Sequence, residues 1–508
     1  MKNLPRIIQR AAEYGDRTAI LSGSTKTSYQ QLVEGSQTIA ANLLGLPDDA
    51  HCNDLQQSRV AYLVQPGEQY VQTQWGIWRA GGIAVPISLS ATEKEIEYTL
   101  SDSGVSVVVS DGQSLKKSES LCNRLNIRLI NLDDLRQTQI SDPGPDLSTD
   151  RDAMILYTSG TTSRPKGVVS THTCIESQIT SLIEAWHWQT DDRIALFLPL
   201  HHIHGIINVM SCALWSGATI DALGRFDVDT IFERVRHDAY TVFMAVPTIY
   251  VKMIEALEKH SDSDRNAILQ GFAKMRLMVS GSAALPASVH EKWTELTGQK
   301  LLERYGMTEI GMALSNPYHG ERRPGAVGQP LPGVEVRLVG ESGDVVTDDN
   351  TPGEIQVRGS NLFREYWNRP QATAESFVDG WFRTGDMAVI EDGSYRIMGR
   401  TSIDIIKSGG YKLSALEIEA ALLDHPDIAQ CAVIGMEDET WGEAVAAAVV
   451  LSTSNPPESD TLDLSSLRSW CKGKISPYKI PQRLVVLDNL PRNAMGKVTK
   501  PALREHFI

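Results

Sequence analysis

Residues 157–172 read YTSGTTSRPKGVVSTH, beginning where the apolar run Ala153–Tyr157 ends. A buried strand that opens into glycines, hydroxyls and one lysine suits a polyphosphate. Backbone amides and the side chains of Thr158, Ser159, Thr161 and Thr162 can donate, and Lys166 supplies charge. The Walker pattern requires Gly, four residues, then Gly-Lys-Ser/Thr. Here Gly160 is followed by TTSR and then Pro165, Lys166 and Gly167, so two positions fail and no hydroxyl follows the lysine. Taken alone, the stretch reads equally well as a polar surface loop.

On both sides of it, strand and helix patterns alternate. VAYLVQPG (60–67) reads as a short buried strand, EQYVQTQWGIWRAGG (68–82) as a helix stopped by glycines, and IAVPIS (83–88) as the next strand. QQLVEGSQTIAANLLGL (30–46) has apolar residues at helical spacing. Such repeats predict α/β layers with largely parallel sheets, whose ligands gather beyond the carboxyl ends of the strands. Residues 112–152 are polar and read as a loop-rich connection. Residues 320–399 are β-rich and punctuated by glycine, as in GVEVRLV, GEIQVRG and SYRIMGR. From Arg400 onward, helix and strand patterns mix in a compact α+β unit. The predicted organisation is a large domain over 1–399, containing a β-rich subdomain, and a small domain over 400–508.

The composition narrows the function. The chain has 508 residues, too many for one core, with 42% hydrophobic and 22% charged residues and a formal net charge of −15. That balance argues against nucleic acid as the partner. No run approaches the roughly 18 apolar residues of a membrane span. The six cysteines form no CxxC pair, which points to free thiols in a reducing compartment rather than zinc. The start has Lys2, Arg6 and Arg10, but Glu13 and Asp16 follow and serine is absent before Ser22. A cytoplasmic protein is expected, with the mitochondrial matrix as the alternative.

Further motifs turn the phosphate loop into a constellation. TSGTTSRPKG resembles the first signature of the adenylate-forming superfamily of acyl-CoA synthetases, luciferases and peptide-synthetase adenylation domains. ERYGMTEIG (303–311) resembles its second signature and GWFRTGDM (380–387) its third. GRTSIDIIKSGGYKLSALEIE (399–419) resembles the domain junction, and LPRNAMGKVTK (490–500) the C-terminal lysine motif. The five occur in order, and the resemblance runs from about Tyr14 to the end of the chain. It implies a two-step reaction in which a carboxylate attacks the α-phosphorus of ATP and a thiol then displaces AMP. It also implies a mobile small domain.

Carried onto these positions, the resemblance assigns Thr158, Ser159, Gly160, Thr161, Thr162, Ser163, Arg164, Pro165 and Lys166 to the nucleotide phosphates. Tyr305 offers a face for adenine, along which MVSGSAAL (278–285) also lies. Thr308 offers a hydroxyl to the α-phosphate, and Glu309 a carboxylate to Mg2+. Asp386 fits the ribose hydroxyls, with Arg400 as its partner. Lys497 reaches the reacting phosphorus during adenylation, and Ser408, Gly409 and Gly410 line the tunnel for coenzyme A. The hinge is left open between Ser402 and Asp404. From Ser465 to Ile508, nine Lys/Arg face two acids, an excess that suits a unit meeting ATP and CoA phosphates.

The acid follows from a narrower likeness. ERYGMTEIGMALSNPYHGERRPGAVGQPLPGVEVRLV (303–339) is similar to the malonyl-CoA synthetases, and QWGIWRAGGIAVPIS (74–88) to their mitochondrial branch, which also uses methylmalonate. A dicarboxylic substrate enters with one carboxylate still ionised, and burying it unpaired costs several kcal/mol. A guanidinium is the planar match, so Arg322, in R-x-P-G-A-V-G, is the expected partner. His204, in LPLHHIHGI (198–206), and Ser282 are the other expected contacts. The expected enzyme is a malonate–CoA ligase using ATP, Mg2+ and coenzyme A, without nucleic-acid or membrane partner, as a monomer or weak homodimer. A ligase for another short or medium acid, or a stand-alone enzyme loading a carrier protein, are the alternatives.

Overall fold

The strands of the first two thirds are short and apolar throughout because both sheet faces are covered. Leu277–Ser280 and Val242–Ala245 are buried at every position, as expected of parallel strands between helical layers. The computed structural model describes residues 4–46, 53–137, 144–158, 165–409, 411–452, 462–492 and 498–507. Among them the chain forms α/β layers in a large N-terminal part and a smaller mixed unit at the C-terminal end.

A nine-stranded sheet runs in the order Gln329–Pro330, Gly311–Ser315, Leu302–Met307, Leu277–Ser280, Val242–Ala245, Arg193–Leu196, Thr219–Ala222, Thr18–Ser22, Thr25–Ser28. Its centre is parallel: Val242 pairs with Leu277, and Val279 with Leu302. A seven-stranded sheet contains Asp152–Thr158 beside Ile83–Pro86, with Lys166–Thr171 and Glu365–Tyr366 continuing it antiparallel. The expected helices over Tyr29–Leu44 and Glu68–Arg79 cover these sheets. The first begins with a capping box between Ser28 and Gln31.

Two further sheets follow, antiparallel except for the parallel pairing of Arg483–Val486 with Gly442–Leu451. One joins Val334–Val339, Gly353–Gly359, Trp381–Glu391, Phe377–Val378 and Ser394–Arg400. The other joins Ile405–Ser408, Tyr411–Ser414, Ile428–Asp438, Gly442–Leu451 and Arg483–Val486. The second has its own apolar cluster, built on Ile418, Leu422, Val433, Val445, Val449 and Leu467.

One local expectation needs correction. The stretch read as loop-rich contains the helix Gly112–Leu125, the strand Arg128–Asn131 and a helical turn at Leu132–Leu135. The helix buries Ser114, Ser118, Leu121 and Cys122, so small polar residues fill an inward face that a hydrophobic count passes over. Asp111 caps its start by accepting from the Ser114 amide. Ser408 and Tyr411 pair at the ends of two antiparallel strands, and the Gly409 amide donates to the Trp441 carbonyl.

The C-terminal unit is tied together by one buried cation. Lys500 lies 2.6 Å from both Asp404 and Glu419, and all three side chains are at most 15% exposed. Lys500→Met would leave two carboxylates without their cation. Loss of one partner from a buried pair costs about 3–5 kcal/mol, so thermal unfolding is expected to show the C-terminal unit melting well below the parent.

Candidate active site

The carboxyl ends of three neighbouring segments converge on one small polar group. The strand Leu277–Ser280 ends at Gly281 and Ser282, and the strand Leu302–Met307 runs parallel to it and carries Arg304. His204 opens a π-helical turn, His204–Ser211, beyond the strand Arg193–Leu196. Such widened turns occur often at functional sites. A Cβ on residue 281 would stand 2.6 Å from the Arg304 guanidinium, so glycine is required there for the arginine to lie flat. Ser282 has φ +70, a strained value for a residue with a side chain.

The hydrogen bonds in this group fix its protons. Arg304 can only donate, and its Nη2 reaches Ser282 Oγ at 3.3 Å. The serine proton is therefore free for His204 Nδ1, 3.2 Å away. Burial drives the His204 pKa well below the ordinary value, assisted by the Arg304 charge. A neutral imidazole accepting at Nδ1 carries its proton on Nε2. That Nε2 and the Arg304 Nε are both buried without a hydrogen-bond partner, and both residues are 4% exposed. Burial also presses the Arg304 guanidinium down to about 9. Two unpaired donors, one of them cationic, are complementary to an acceptor-only anion such as a carboxylate.

Arg322 is not in this group. Its guanidinium donates to three backbone carbonyls, of Pro317, Lys300 and Tyr318, at 3.1, 2.8 and 2.7 Å. It thereby braces a loop, with each of its three nitrogens already donating to a backbone carbonyl. The P-G-A-V-G segment reaches the strand instead through the Gly325 amide, which donates to the buried Glu303 carboxylate. The arginine missed by sequence reading is Arg304. Its signal was a Glu-Arg pair inside the short strand pattern LLERYGM, where charged residues are seldom fully buried without a partner.

A second group assembles the nucleotide residues. The Tyr305 hydroxyl donates to Asp386 Oδ2 at 2.6 Å, and Arg400 Nε lies 3.3 Å from Oδ1. Asp386 and Arg400 face each other across adjacent antiparallel strands. Burial raises the Asp386 carboxyl above its usual value, while Arg400 and the tyrosine hydroxyl pull it back. Glu309 sits in the turn after the Leu302–Met307 strand, buried and raised in pKa by desolvation. The Tyr366 hydroxyl donates to its Oε1 at 2.9 Å, and Lys166 lies over the Tyr366 ring. Thr308 belongs to the same turn and is half-buried.

The stems of the phosphate loop are held from outside. Thr158 donates to the Lys166 carbonyl, and the Tyr98 hydroxyl donates to the Pro165 carbonyl at 2.6 Å. Tyr157 donates to Asp102, which also pairs with Arg369. Ser159, Gly160, Thr161, Thr162, Ser163, Arg164, Gly410 and Lys497 lie outside the described residues. Ser408 is buried and Gly409 faces the Trp441 ring. Among the described residues no three His, Cys, Asp or Glu side chains cluster for a metal. A lone carboxylate such as Glu309 suits Mg2+, which takes one or two carboxylates and completes its shell with phosphate oxygens and water.

Residues 7–367 match the AMP-binding enzyme family model and residues 417–497 the AMP-binding enzyme C-terminal domain. The chain belongs to the AMP-binding enzymes. It is 43% identical to the mitochondrial malonate–CoA ligase ACSF3 of Xenopus laevis, over 99% of this chain and 92% of that protein. Its fold superimposes on ATP-bound MatB from Rhodopseudomonas palustris with TM-score 0.88, at 32% identity, covering 100% of this chain and 99% of that one. A malonyl-CoA ligase in a ternary product complex with methylmalonyl-CoA and AMP is 35% identical, with TM-score 0.69 over 96% of this chain and all of that one.

Proposed function

We propose that this chain is an AMP-forming malonate–CoA ligase. Malonate and ATP give malonyl-AMP and pyrophosphate, and coenzyme A then displaces AMP to give malonyl-CoA. The observation that carries the acid is the pair of unpartnered buried donors, His204 Nε2 and Arg304 Nε, beside Ser282. They would hold the carboxylate that does not react. A fatty-acid pocket would have no use for a desolvated guanidinium, whereas a dicarboxylate repays its burial. The malonate–CoA ligase activity of the Xenopus relative agrees with this reading, and the methylmalonyl-CoA bound in the ternary product complex supports methylmalonate as a second substrate.

The remaining roles follow from chemistry. Lys166 and the loop Thr158–Pro165 take the phosphates that leave as pyrophosphate. Thr308 and Lys497 address the reacting phosphorus, where positioned charge does most of the work. Asp386 with Arg400 holds the ribose, and the Tyr305 ring bears the adenosine. Glu309 would hold Mg2+, which neutralises phosphate charge when bound. Ser408, Gly409 and Gly410 line the approach of the CoA thiol.

The small unit, placed here from Arg400 onward, swings between the half-reactions. The lower TM-score to the product complex, despite its higher identity, is in keeping with that motion. The pivot is Ser402. It is exposed, whereas Asp404 is bonded to Lys500, to the Arg400 amide and, through its carbonyl, to Ala415. No helix among the described residues is long and apolar enough to cross a membrane. For the compartment, the mitochondrial location of the Xenopus relative favours the mitochondrial alternative.

The test is pyrophosphate release with malonate, methylmalonate, succinate, acetate and octanoate, with and without CoA. Malonate is expected to give the highest kcat/KM, with malonyl-CoA accumulating only when CoA is present. Acetate or octanoate far outpacing malonate would overturn the acid assignment.

A further inference from the structure

The segment Phe363–Asn368 is stitched to both signature motifs of the nucleotide site. Its Phe363 amide donates to the Glu309 carbonyl at 2.8 Å, and its Trp367 amide to the Gly167 carbonyl at 2.7 Å. Tyr366 pairs with Val168 in the ladder that continues from Lys166. Between these fastenings the Tyr366 side chain is 7% exposed. The Lys166 ammonium lies 4.6 Å from its ring centroid, and its hydroxyl donates to Glu309 Oε1 at 2.9 Å.

We infer that Tyr366 is a positioning residue that keeps the phosphate-loop lysine and the metal-binding glutamate apart while engaging both. This rests on the roles proposed above for Lys166 and Glu309. A lysine and a glutamate brought together in a half-buried cleft close into a contact ion pair, because attraction strengthens as water is excluded. Such a pair would pull the ammonium away from an arriving phosphate and set a positive charge against the carboxylate oxygens that a cation needs. The tyrosine prevents this. Its ring face satisfies the ammonium through the quadrupole, and its hydroxyl satisfies one carboxylate oxygen. The two contacts reinforce each other, since a phenol donating to a carboxylate has a more electron-rich ring. An ammonium on a ring face remains available to an arriving polyphosphate. The phenylalanine ring of Phe363, 4.8 Å away, holds the Tyr366 ring in this orientation.

The test compares Tyr366→Phe and Tyr366→Leu with Lys166→Met and Glu309→Gln. ATP affinity is measured by calorimetry in EDTA and again with Mg2+, alongside thermal melting. Tyr366→Phe keeps the ring, so metal-free ATP affinity should stay within about twofold. The Mg2+ concentration for half-maximal ATP binding should rise about tenfold, the scale of one lost hydrogen bond to a charged group. Tyr366→Leu should weaken metal-free ATP binding about tenfold, as expected for a lysine drawn into an ion pair. Adding Lys166→Met to it should then cost little more. Additive losses in that double variant, or an unchanged Mg2+ requirement in Tyr366→Phe, would overturn the inference. If the leucine variant melts early, Tyr366→Phe, which keeps the packing, decides. If Lys166→Met and Glu309→Gln themselves bind ATP and Mg2+ like the parent, the roles of those two residues fail first. If they are impaired and the tyrosine variants are not, only the inference about Tyr366 fails.

Discussion

Replacing Arg304 with alanine is expected to lower kcat/KM for malonate by about 30- to 5,000-fold, the range for truncating one member of a buried hydrogen-bonded charge pair. Acetate and other monocarboxylates should lose far less, because they bring no second charge to Arg304. The ratio of the two losses, read by pyrophosphate release, is the decisive quantity, and equal losses would sink the assignment. Stability should move differently. With no ligand the guanidinium is held in a desolvated site at a cost, so Arg304→Met is expected to melt at or above the parent temperature. Arg322→Ala provides the contrast. It removes three bonds from a charged donor to loop carbonyls, so it should lower the melting temperature and affect both classes of acid alike.

Replacing Lys497 with alanine is expected to slow malonyl-AMP formation by about 100- to 1,000-fold, the usual cost of removing one preorganised donor from a developing charge. Conversion of supplied malonyl-AMP and CoA to malonyl-CoA should stay within about twofold, since that step is at the carbonyl carbon and forms no pentacoordinate phosphorus for the lysine to stabilise. The two rates are measured separately, pyrophosphate release for the first and thioester absorbance for the second. Adenylation at the parent rate would show that another cation does this work.

Much of the framework was legible in the sequence. The strands around residues 60, 84, 155 and 446 are apolar runs, the one around 336 alternates apolar with charged residues, and a strand forms at each. The pairing of Asp386 with Arg400 follows from two motifs brought opposite each other in one ladder. The acid group was legible only in part. His204 and Ser282 do meet, but the cation bonded beside them is Arg304 rather than Arg322. Arg322 stands in a loop with a motif around it, and a loop arginine looks available until its carbonyl partners are known. Arg304 looks like the flank of the adenine motif until Gly281 is seen to make room for it. The helix Gly112–Leu125 was hidden for a related reason, because its inward face is built on serines whose burial depends on neighbours far away in the chain.

Under the proposed function, the chain of donors running from Arg304 through Ser282 to His204 also restricts how the substrate range can change. Each of the three comes from a different segment and depends on the next for its proton or its charge. An exchange at one position alone leaves a buried polar atom stranded and gains no new acid. Conversion toward a long-chain acid therefore has to pass through poorly active single variants. Among enzymes of this architecture, the three positions should accordingly change as a set, and a directed search that varies them one at a time should stall where a three-site library succeeds.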